Sequence, residues 1–389
     1  MERIRIPVIA GDGTGEDIWS ASREVFEEAV LKTTGGTKQI EWIPVTAGLK
    51  ALDAGNVLLP QETVDAILES TIALKGPLTT PVGGGFRSVN VYLRQRFDLY
   101  VCMRPIRWFK GLPSPLVNPQ AVDMVIFREN TEDLYRGIEW KGGTAEAKTV
   151  IDFLRNVMGV EVDPDSGIGI KPMSPAGTRR FVRWAIDWTI KAARRGITIV
   201  HKGNIMKYTE GAFREWAYET AREFDDLSAE GAAGKIPVND RIADNMFMQV
   251  IARPGDYDVL LCPNLNGDYL SDACAALIGG LGVAPGANIG ADVAIFEPTH
   301  GSAPKYAGRD MVNPTSFILS GAMLFDHIGM GETASAIRRA VEETIQAGIM
   351  TYDLARQVRD GKAVRCSEYG EAVVRRLSVS GASTETQGR

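Results

Sequence analysis

Short apolar runs recur along the chain and alternate with longer stretches in which apolar residues return every three or four positions. "IRIPVIA" (4–10) opens the series, and residues 17–31 follow with Ile18, Ala21, Val25 and Ala29 on one helical face. "TIALK" (71–75), "DLYVCM" (98–103), "DMVIF" (123–127), "ITIVH" (197–201), "DVLLC" (258–262) and "DVAIF" (292–296) continue the rhythm, with helical material between most of them. The order predicts an α/β fold with a largely parallel sheet. Residues 136–176 break it, being Gly-rich, polar and without clear helical periodicity. They read as an insertion forming a small β-rich arm, and "SVSGASTETQGR" at the end reads as a frayed tail.

A chain of 389 residues fits two domains, or one large α/β domain with an insertion. Its 44% hydrophobic and 24% charged content belongs to an ordinary globular protein. The net charge of -6 argues against a general nucleic-acid binder, so any anionic ligand must meet a local group of cations. Cys102, Cys262, Cys274 and Cys366 are scattered and form no CxxC pair, which points to reduced, buried thiols. The N-terminus runs straight into a strand without a signal-like segment, and no stretch approaches the ~20 apolar residues of a membrane span. The expectation is a cytoplasmic protein with neither membrane nor nucleic acid as partner.

Three motifs carry candidate chemistry. In "NLNGDYLSDACAA" (264–276), Asp268 and Asp272 stand one helical turn apart behind an Asn-Gly turn. Like charges at that spacing repel unless a cation lies between them, so they mark either a solvated helix start or carboxylates gripping an Arg, a Lys or a metal. "GDGTG" (11–15) lies between a strand and a helix and reads either as an anion-binding turn or as a tight turn without ligand. In "GGGFRSVNVYLRQRFDLYVCMRP" (83–105), Ser88 opens a helical stretch that carries Asn90 and Arg94 on one face. Arg104 and Arg128 end apolar runs, where ligands of parallel sheets bind. The arginines are either unrelated surface charges or the grip on a small molecule with several carboxylates.

"SVNVYLRQRFDLYVCMRP", "FRENTEDLYRGIEW", "HKGNIMKYTEGAF", "IADNMF", "NLNGDYLSDACAA", "GANIG" and "PTHGSAPKYAGRDMVNPTSFILSGAMLF" together resemble the β-decarboxylating dehydrogenases, specifically the bacterial, dimeric, NADP-dependent isocitrate dehydrogenase type. The resemblance runs from Arg3 to about Leu377, with only the very short N-terminus departing from it. It implies the isocitrate/isopropylmalate dehydrogenase-like fold, not a Rossmann domain: a large α/β domain (1–99 and 279–389), a small domain (100–132 and 180–278) and a clasp (133–179) that locks a homodimer with shared active sites. The implied reaction, a step of the tricarboxylic acid cycle, converts isocitrate to 2-oxoglutarate and CO2 and reduces NADP with Mg2+ or Mn2+ as Lewis acid.

The resemblance assigns Asp268 and Asp272, with Asp244 of the neighbouring subunit, to the metal. Ser88, Asn90, Arg94, Arg104 and Arg128 bind substrate, and Ser88 and Asn90 select isocitrate over isopropylmalate. Tyr135 is the general acid, and Lys207 from the other subunit helps to remove the C2 hydroxyl proton. The loop "THGSAPKYAG" with His300 and Gly301 holds the adenosine half of the cofactor, with Thr79 and Asn313 beside it. His201 and His327 are packing residues. Lys305, Tyr306, Tyr352 and Arg356, with Arg253 reaching from the second subunit, form the pattern for a 2'-phosphate and hence for NADP over NAD. Rival readings are a homoisocitrate or tartrate dehydrogenase of the same family and a non-catalytic regulatory paralogue. A phosphoryl-transfer enzyme lacks its GxxxxGK[ST] loop. A kinase acting on Ser88 would place about -1.5 to -2 charges where a substrate carboxylate sits.

Overall fold

The computed structural model describes residues 1–55, 57–79, 88–228 and 232–378. The glycines at 83–85 and all but the first residue of the expected tail lie outside them. Eleven strands form one sheet: β1 (Glu2–Ile9), β2 (Lys38–Pro44), β3 (Ile72–Lys75), β4 (Val101–Arg107), β5 (Asp123–Glu129), β8 (Ile197–His201), β9 (Leu227–Ser228), β10 (Ile236–Ile242), β11 (Val259–Cys262), β12 (Pro285–Ile289) and β13 (Ala294–Pro298). Their spatial order is β2-β1-β3-β13-β12-β4-β5-β11-β8-β10-β9.

Both ends of the sheet are parallel, as the alternation with helices requires. The middle is antiparallel: β12 pairs with β13 and with β4, and β4 pairs with β5. β2 and β12 escaped the apolar-run pattern for opposite reasons. β2 is an edge strand of mixed polarity, half-exposed along most of its length, whereas "PGANI" of β12 is fully buried but built mainly from small residues.

Strand periodicity sorts the central strands into two unlike faces. Met103 and Phe127 lie on the side of the helix Pro175–Lys191, whose Trp184 and Trp188 meet the Phe127 ring edge-on. Arg104 and Arg128 point the other way, to the helix Asn264–Ala276. Among the described residues no helix is long and apolar enough to cross a membrane, and all four cysteines are buried and free.

The insertion differs from the β-rich arm expected. Its strands are only β6 (Glu139–Trp140) and β7 (Ile168–Gly169), paired with each other, and its main element is the helix Ala145–Asn156. The Thr144 side chain caps that helix by accepting the Ala147 N–H at 3.3 Å. Ala147 and Ile151 are its only buried residues, a stripe too narrow to show as periodicity in a polar segment.

Candidate active site

The arginines come together by a route the sequence did not suggest. Arg128 lies next to the last residue of β5, but Arg104 stands in the middle of β4, not at a strand end. Because β4 runs antiparallel to β5, its first half lies beside the carboxyl end of β5, with Cys102 opposite Arg128. Arg104 and Arg128 therefore face one patch, and Arg94 of the helix Val89–Arg96 is close enough for its charge to act on Arg128, Tyr135 and Asp268. All three guanidinium groups are at least nine-tenths shielded from solvent.

The helix Asn264–Ala276 supplies the opposing acids. It starts at Asn264, so Asn266 and Gly267 belong to its first turn and no Asn-Gly turn precedes it. Asp268 and Asp272 lie beyond that turn, where a helix start does not account for them. Arg128 donates to Asp268, and through Nε to Asn264 Oδ1 at 2.8 Å. Arg104 donates to Ser271 Oγ at 2.6 Å and to Asp272 Oδ1 at 3.0 Å, with Asp268 Oδ1 3.6 Å away.

Tyr135 donates its hydroxyl to Asp268 Oδ2 at 2.5 Å, and its ring lies 4.6 Å from the Arg128 guanidinium carbon. Burial, aided by that hydrogen bond to Asp268 and opposed by Arg128, pushes the Tyr135 hydroxyl up to about 12. Burial also works to raise Asp268, but Arg128, the Tyr135 hydrogen bond and Arg104 together hold it below the usual carboxylate range. Asp272 is raised, by burial first and by the charge of Asp268 as well, against the pull of Arg104. Among the described residues, Nη2 of Arg128 and Oδ1 of Asn90 are buried without partners, as is Oδ1 of Asn130 behind them. Buried polar groups are normally satisfied, so these atoms are exceptions in the fold.

Behind this patch lies a polar layer that the sequence reading missed. Glu297 at the end of β13 pairs with Lys75 at the end of β3 at 2.5 Å and with Arg94 at 3.6 Å. Asn288 donates to Glu297 at 2.6 Å and accepts from Arg94 Nε at 3.1 Å and Asn130 Nδ2 at 2.9 Å. Burial opposes ionisation of Glu297, yet Lys75 and Arg94 bring it down to about 2. The available signal was a single charge closing an apolar run, in "TIALK" and in "AIFE".

A second cluster surrounds a cavity of about 230 Å³ lined by Thr14, His300, Gly301, Tyr306, Asn313 and Tyr352 among others. The Tyr306 and Tyr352 rings are 5.5 Å apart, with Lys305 Nζ 4.8 Å from the first ring and the Arg356 guanidinium 5.8 Å from the second. Hydrogen bonds from Lys305 and with Tyr352 lower the Tyr306 hydroxyl. His300 Nδ1 is 3.0 Å from the Gly301 carbonyl oxygen, and burial lowers its pKa. Thr79 Oγ1 is 2.5 Å from Ser302 Oγ, and Asn313 donates to Asp353 at 3.0 Å.

"GDGTG" takes the form of a tight turn. A Cβ on Gly11 would stand 2.4 Å from the Pro77 carbonyl oxygen, and one on Gly13 2.2 Å from that of Ser302, at φ of +96° and +56°. The Asp12 carboxylate accepts the N–H groups of Leu49, Lys50 and Thr79 at 3.2, 3.1 and 2.8 Å, which ties three segments together.

Three candidates stand apart within this chain. Lys207 is exposed in the segment after β8, and its ammonium has no hydrogen bond or ion pair among the described residues. Asp244 opens the helix Ala243–Ala252 and pairs with Lys202. Arg253 is exposed at the far end of that helix. Ser88 is half-buried at the start of the helix Val89–Arg96, and its side chain does not cap that helix. His201 is buried as expected, whereas His327 is exposed with its ring 5.5 Å from Phe296.

Two carboxylates beside three arginines on an α/β sheet, with a tyrosine that holds its proton, define a site for a small polyanion undergoing acid-base chemistry. The family model for isocitrate/isopropylmalate dehydrogenases matches residues 5–373, and the chain belongs to that family. It is 50% identical over 401 residues to the NADP isocitrate dehydrogenase of Staphylococcus aureus, spanning 96% of this chain and 95% of that one. The corresponding protein of Archaeoglobus fulgidus is 52% identical over 384 residues, spanning 96% and 92%. The crystal structure of isocitrate dehydrogenase from Methylococcus capsulatus superposes with a TM-score of 0.82 at 39% identity, covering 97% of this chain and 99% of that chain.

Proposed function

We propose that this protein is a cytoplasmic enzyme that oxidises isocitrate to 2-oxoglutarate and CO2 with reduction of NADP. The observation that carries the reading is the convergence of Arg94, Arg104 and Arg128 on Asp268 and Tyr135. Three guanidinium groups match the three carboxylates of isocitrate in charge, and Nη2 of Arg128 remains free to donate to one of them. The unpartnered Arg128 Nη2 and Asn90 Oδ1 lie where such a ligand would be received. Ser88 and Asn90 offer a hydroxyl and an amide, which disfavours an isopropyl substituent.

The donor set around Asp268 and Asp272 is all oxygen and suits Mg2+ or Mn2+. Asp272 is half-exposed, and burial first, then the charge of Asp268, raises its pKa against the pull of Arg104. With Asp244 of a second subunit, these carboxylates would hold a divalent ion that polarises the C2 oxygen of the substrate. Among the described residues of one chain no third His, Cys, Asp or Glu joins them.

In the first step isocitrate would lose the C2 hydroxyl proton to a base, and NADP when bound would supply the acceptor for the C2 hydride, leaving a β-keto acid. The bond from C3 to the neighbouring carboxylate then breaks, CO2 leaves, and the electron pair remains as an enolate. Tyr135 donates its proton to C3. A hydroxyl raised to about 12 carries that proton throughout the neutral range and is pointed by Asp268. Lys207 fits the first proton transfer only from a partner subunit. Exposed apolar residues around it and along the helices that hold Asp244 and Asp268 support a dimer face: Ile205 is 69% exposed, Tyr208 92%, Met248 50% and Tyr269 60%.

Lys305, Tyr306, Tyr352 and Arg356 suit the 2'-phosphate of NADP, with Arg253 of the partner in reach, and Thr79, His300, Gly301 and Asn313 suit its adenosine half. In this reading residues 1–99 and 279–389 form the large domain, 100–132 and 180–278 the small one, and 133–179 the clasp. Phosphorylation of Ser88 would repel a substrate carboxylate, so Ser88→Asp should raise the KM for isocitrate steeply; an unchanged KM would remove that idea.

The test is the absorbance of reduced cofactor with isocitrate, Mg2+ and either NADP or NAD. Rapid reduction of NADP that a chelator abolishes is expected. Reduction of NAD alone would overturn the 2'-phosphate site, and faster turnover of homoisocitrate or tartrate would overturn the substrate.

A further inference from the structure

The alternation that sends Arg104, Arg128, Asn288 and Glu297 to the catalytic face leaves their neighbours on the other one. There Met103, Val125, Ala287 and Phe296 floor a cavity of about 650 Å³, walled by Trp184 and Trp188 from one side and Met323 from the other. Sites that enclose small organic ligands run from roughly 300 to 1,000 Å³ and are mostly apolar, with a few convergent polar groups. This cavity has that size and that floor, and none of the residues that line it was assigned a part in the reaction.

Its rim carries four cations, Arg107, Lys191, Arg194 and Arg338, against two acids, Asp123 and Asp326. Both acids are already committed: Asp123 to Arg194 at 3.1 Å and Asp326 to Arg338. Lys191, exposed at the last position of its helix, has no ion pair among the described residues, and Arg107, its side chain 53% exposed, lies 3.9 Å from Glu342 and 5.5 Å from the Phe109 ring. Arg194 is also paired with Asp258, so of the four only Lys191 stands above the apolar floor without an acidic partner among the described residues. A neutral apolar ligand would leave Lys191 unused, and a small polycarboxylate would leave the floor uncovered. An apolar body ending in a single carboxylate satisfies both.

We propose that this cavity binds an amphipathic monocarboxylate of the medium-chain fatty-acid class, on the side of β4 and β5 opposite the catalytic arginines. The proposal is independent of the reaction assigned above. The test is calorimetric titration of decanoate into the full-length protein, below its micelle concentration, with decanol and isocitrate as comparators. Saturable binding of decanoate is expected, with decanol weaker and isocitrate without effect on it. Lys191→Glu combined with Arg107→Glu, both exposed, should weaken decanoate about tenfold, or ~1.4 kcal/mol, and leave decanol unchanged; Lys191→Gln should act in the same direction by less. The proposal fails if decanoate gives no saturable heat, if the double variant binds it as well as the parent, if decanol binds equally, or if isocitrate displaces it.

Discussion

Tyr135 keeps its proton because burial and Asp268 outweigh the pull of Arg128, which is the condition a general acid needs at neutral pH. Tyr135→Phe preserves the ring over Arg128 and removes the hydroxyl, with its proton and its hydrogen bond to Asp268. Loss of kcat by about 10²–10⁴ is expected, with KM for isocitrate changed little, read from initial rates of NADPH formation. Because the hydroxyl titrates near 12, any alkaline loss of kcat/KM between pH 8 and 10 must come from another group, and its profile in Tyr135→Phe should keep the same shape. Glu297 obeys the opposite sign. Its folded pKa of about 2 lies below the ordinary 4.5, so its stabilisation is complete above about pH 4.5 and is lost as pH falls through 2. Denaturant titrations across that window should show stability declining towards acid. In Glu297→Gln the decline should be shallower and the plateau lower by about 3–5 kcal/mol, since Lys75 and Arg94 would be left buried without their partner.

At the scale of elements, the helix Asn264–Ala276 performs its task only because it lies unusually close to β5. A Cβ on Gly267 would stand 2.7 Å from Arg128 Cβ and 2.9 Å from its Cγ. Gly267→Ala should therefore push the helix and Arg128 apart, cost about 1–3 kcal/mol of stability and raise the KM for isocitrate, whereas Ala275→Gly in the same helix should leave KM unchanged. The helix is also tied to its neighbours through buried charge. Lys171 bridges Asp133 at 2.7 Å and Glu210 at 2.8 Å, both fully buried. Asp133 accepts the Leu265 N–H at 3.0 Å, and Glu210 accepts from Asn266 at 2.8 Å and from the Lys202 N–H at 2.5 Å. Lys171→Met should cost about 3–5 kcal/mol in chemical denaturation, because it strands two carboxylates, and Lys171→Arg should recover most of it.

What the sequence made legible follows the same division. Arg94, Arg104, Arg128, Tyr135 and the two aspartates stand in long motifs, and each side chain carries its chemistry openly. Lys75, Asn288 and Glu297 sit alone in apolar runs, and their meaning lies in partners on strands far away in the chain. Parity along a strand could be read, but not which neighbour it faces. The antiparallel centre of the sheet, on which the meeting of Arg104 with Arg128 depends, required knowing that the small-residue segment "PGANI" is a strand. The helix Ala145–Asn156 was hidden because just two of its residues are buried.

The whole molecule poses the question of where one active site ends. In a single chain Tyr135 and Asp268 are joined, while Lys207 and Asp244 lie exposed beside apolar side chains that water covers poorly. If two copies meet through that face, each site takes its acid from one protomer and its base from the other. Isologous pairing then makes the two sites equivalent. Two inactive variants distinguish this arrangement from a site complete within one chain. A protomer with Tyr135→Phe still offers Lys207 to its partner, and one with Lys207→Met still offers Tyr135. In a mixed dimer one site collects both defects and the other collects neither. Random pairing of equal amounts makes half the dimers mixed, so co-refolding should restore roughly a quarter of the parent rate, while each variant refolded alone stays inactive. A mixture no faster than the two separate variants, with subunit exchange verified by a size-tagged copy, would place both groups in the same chain and separate Lys207 from the partner's reaction.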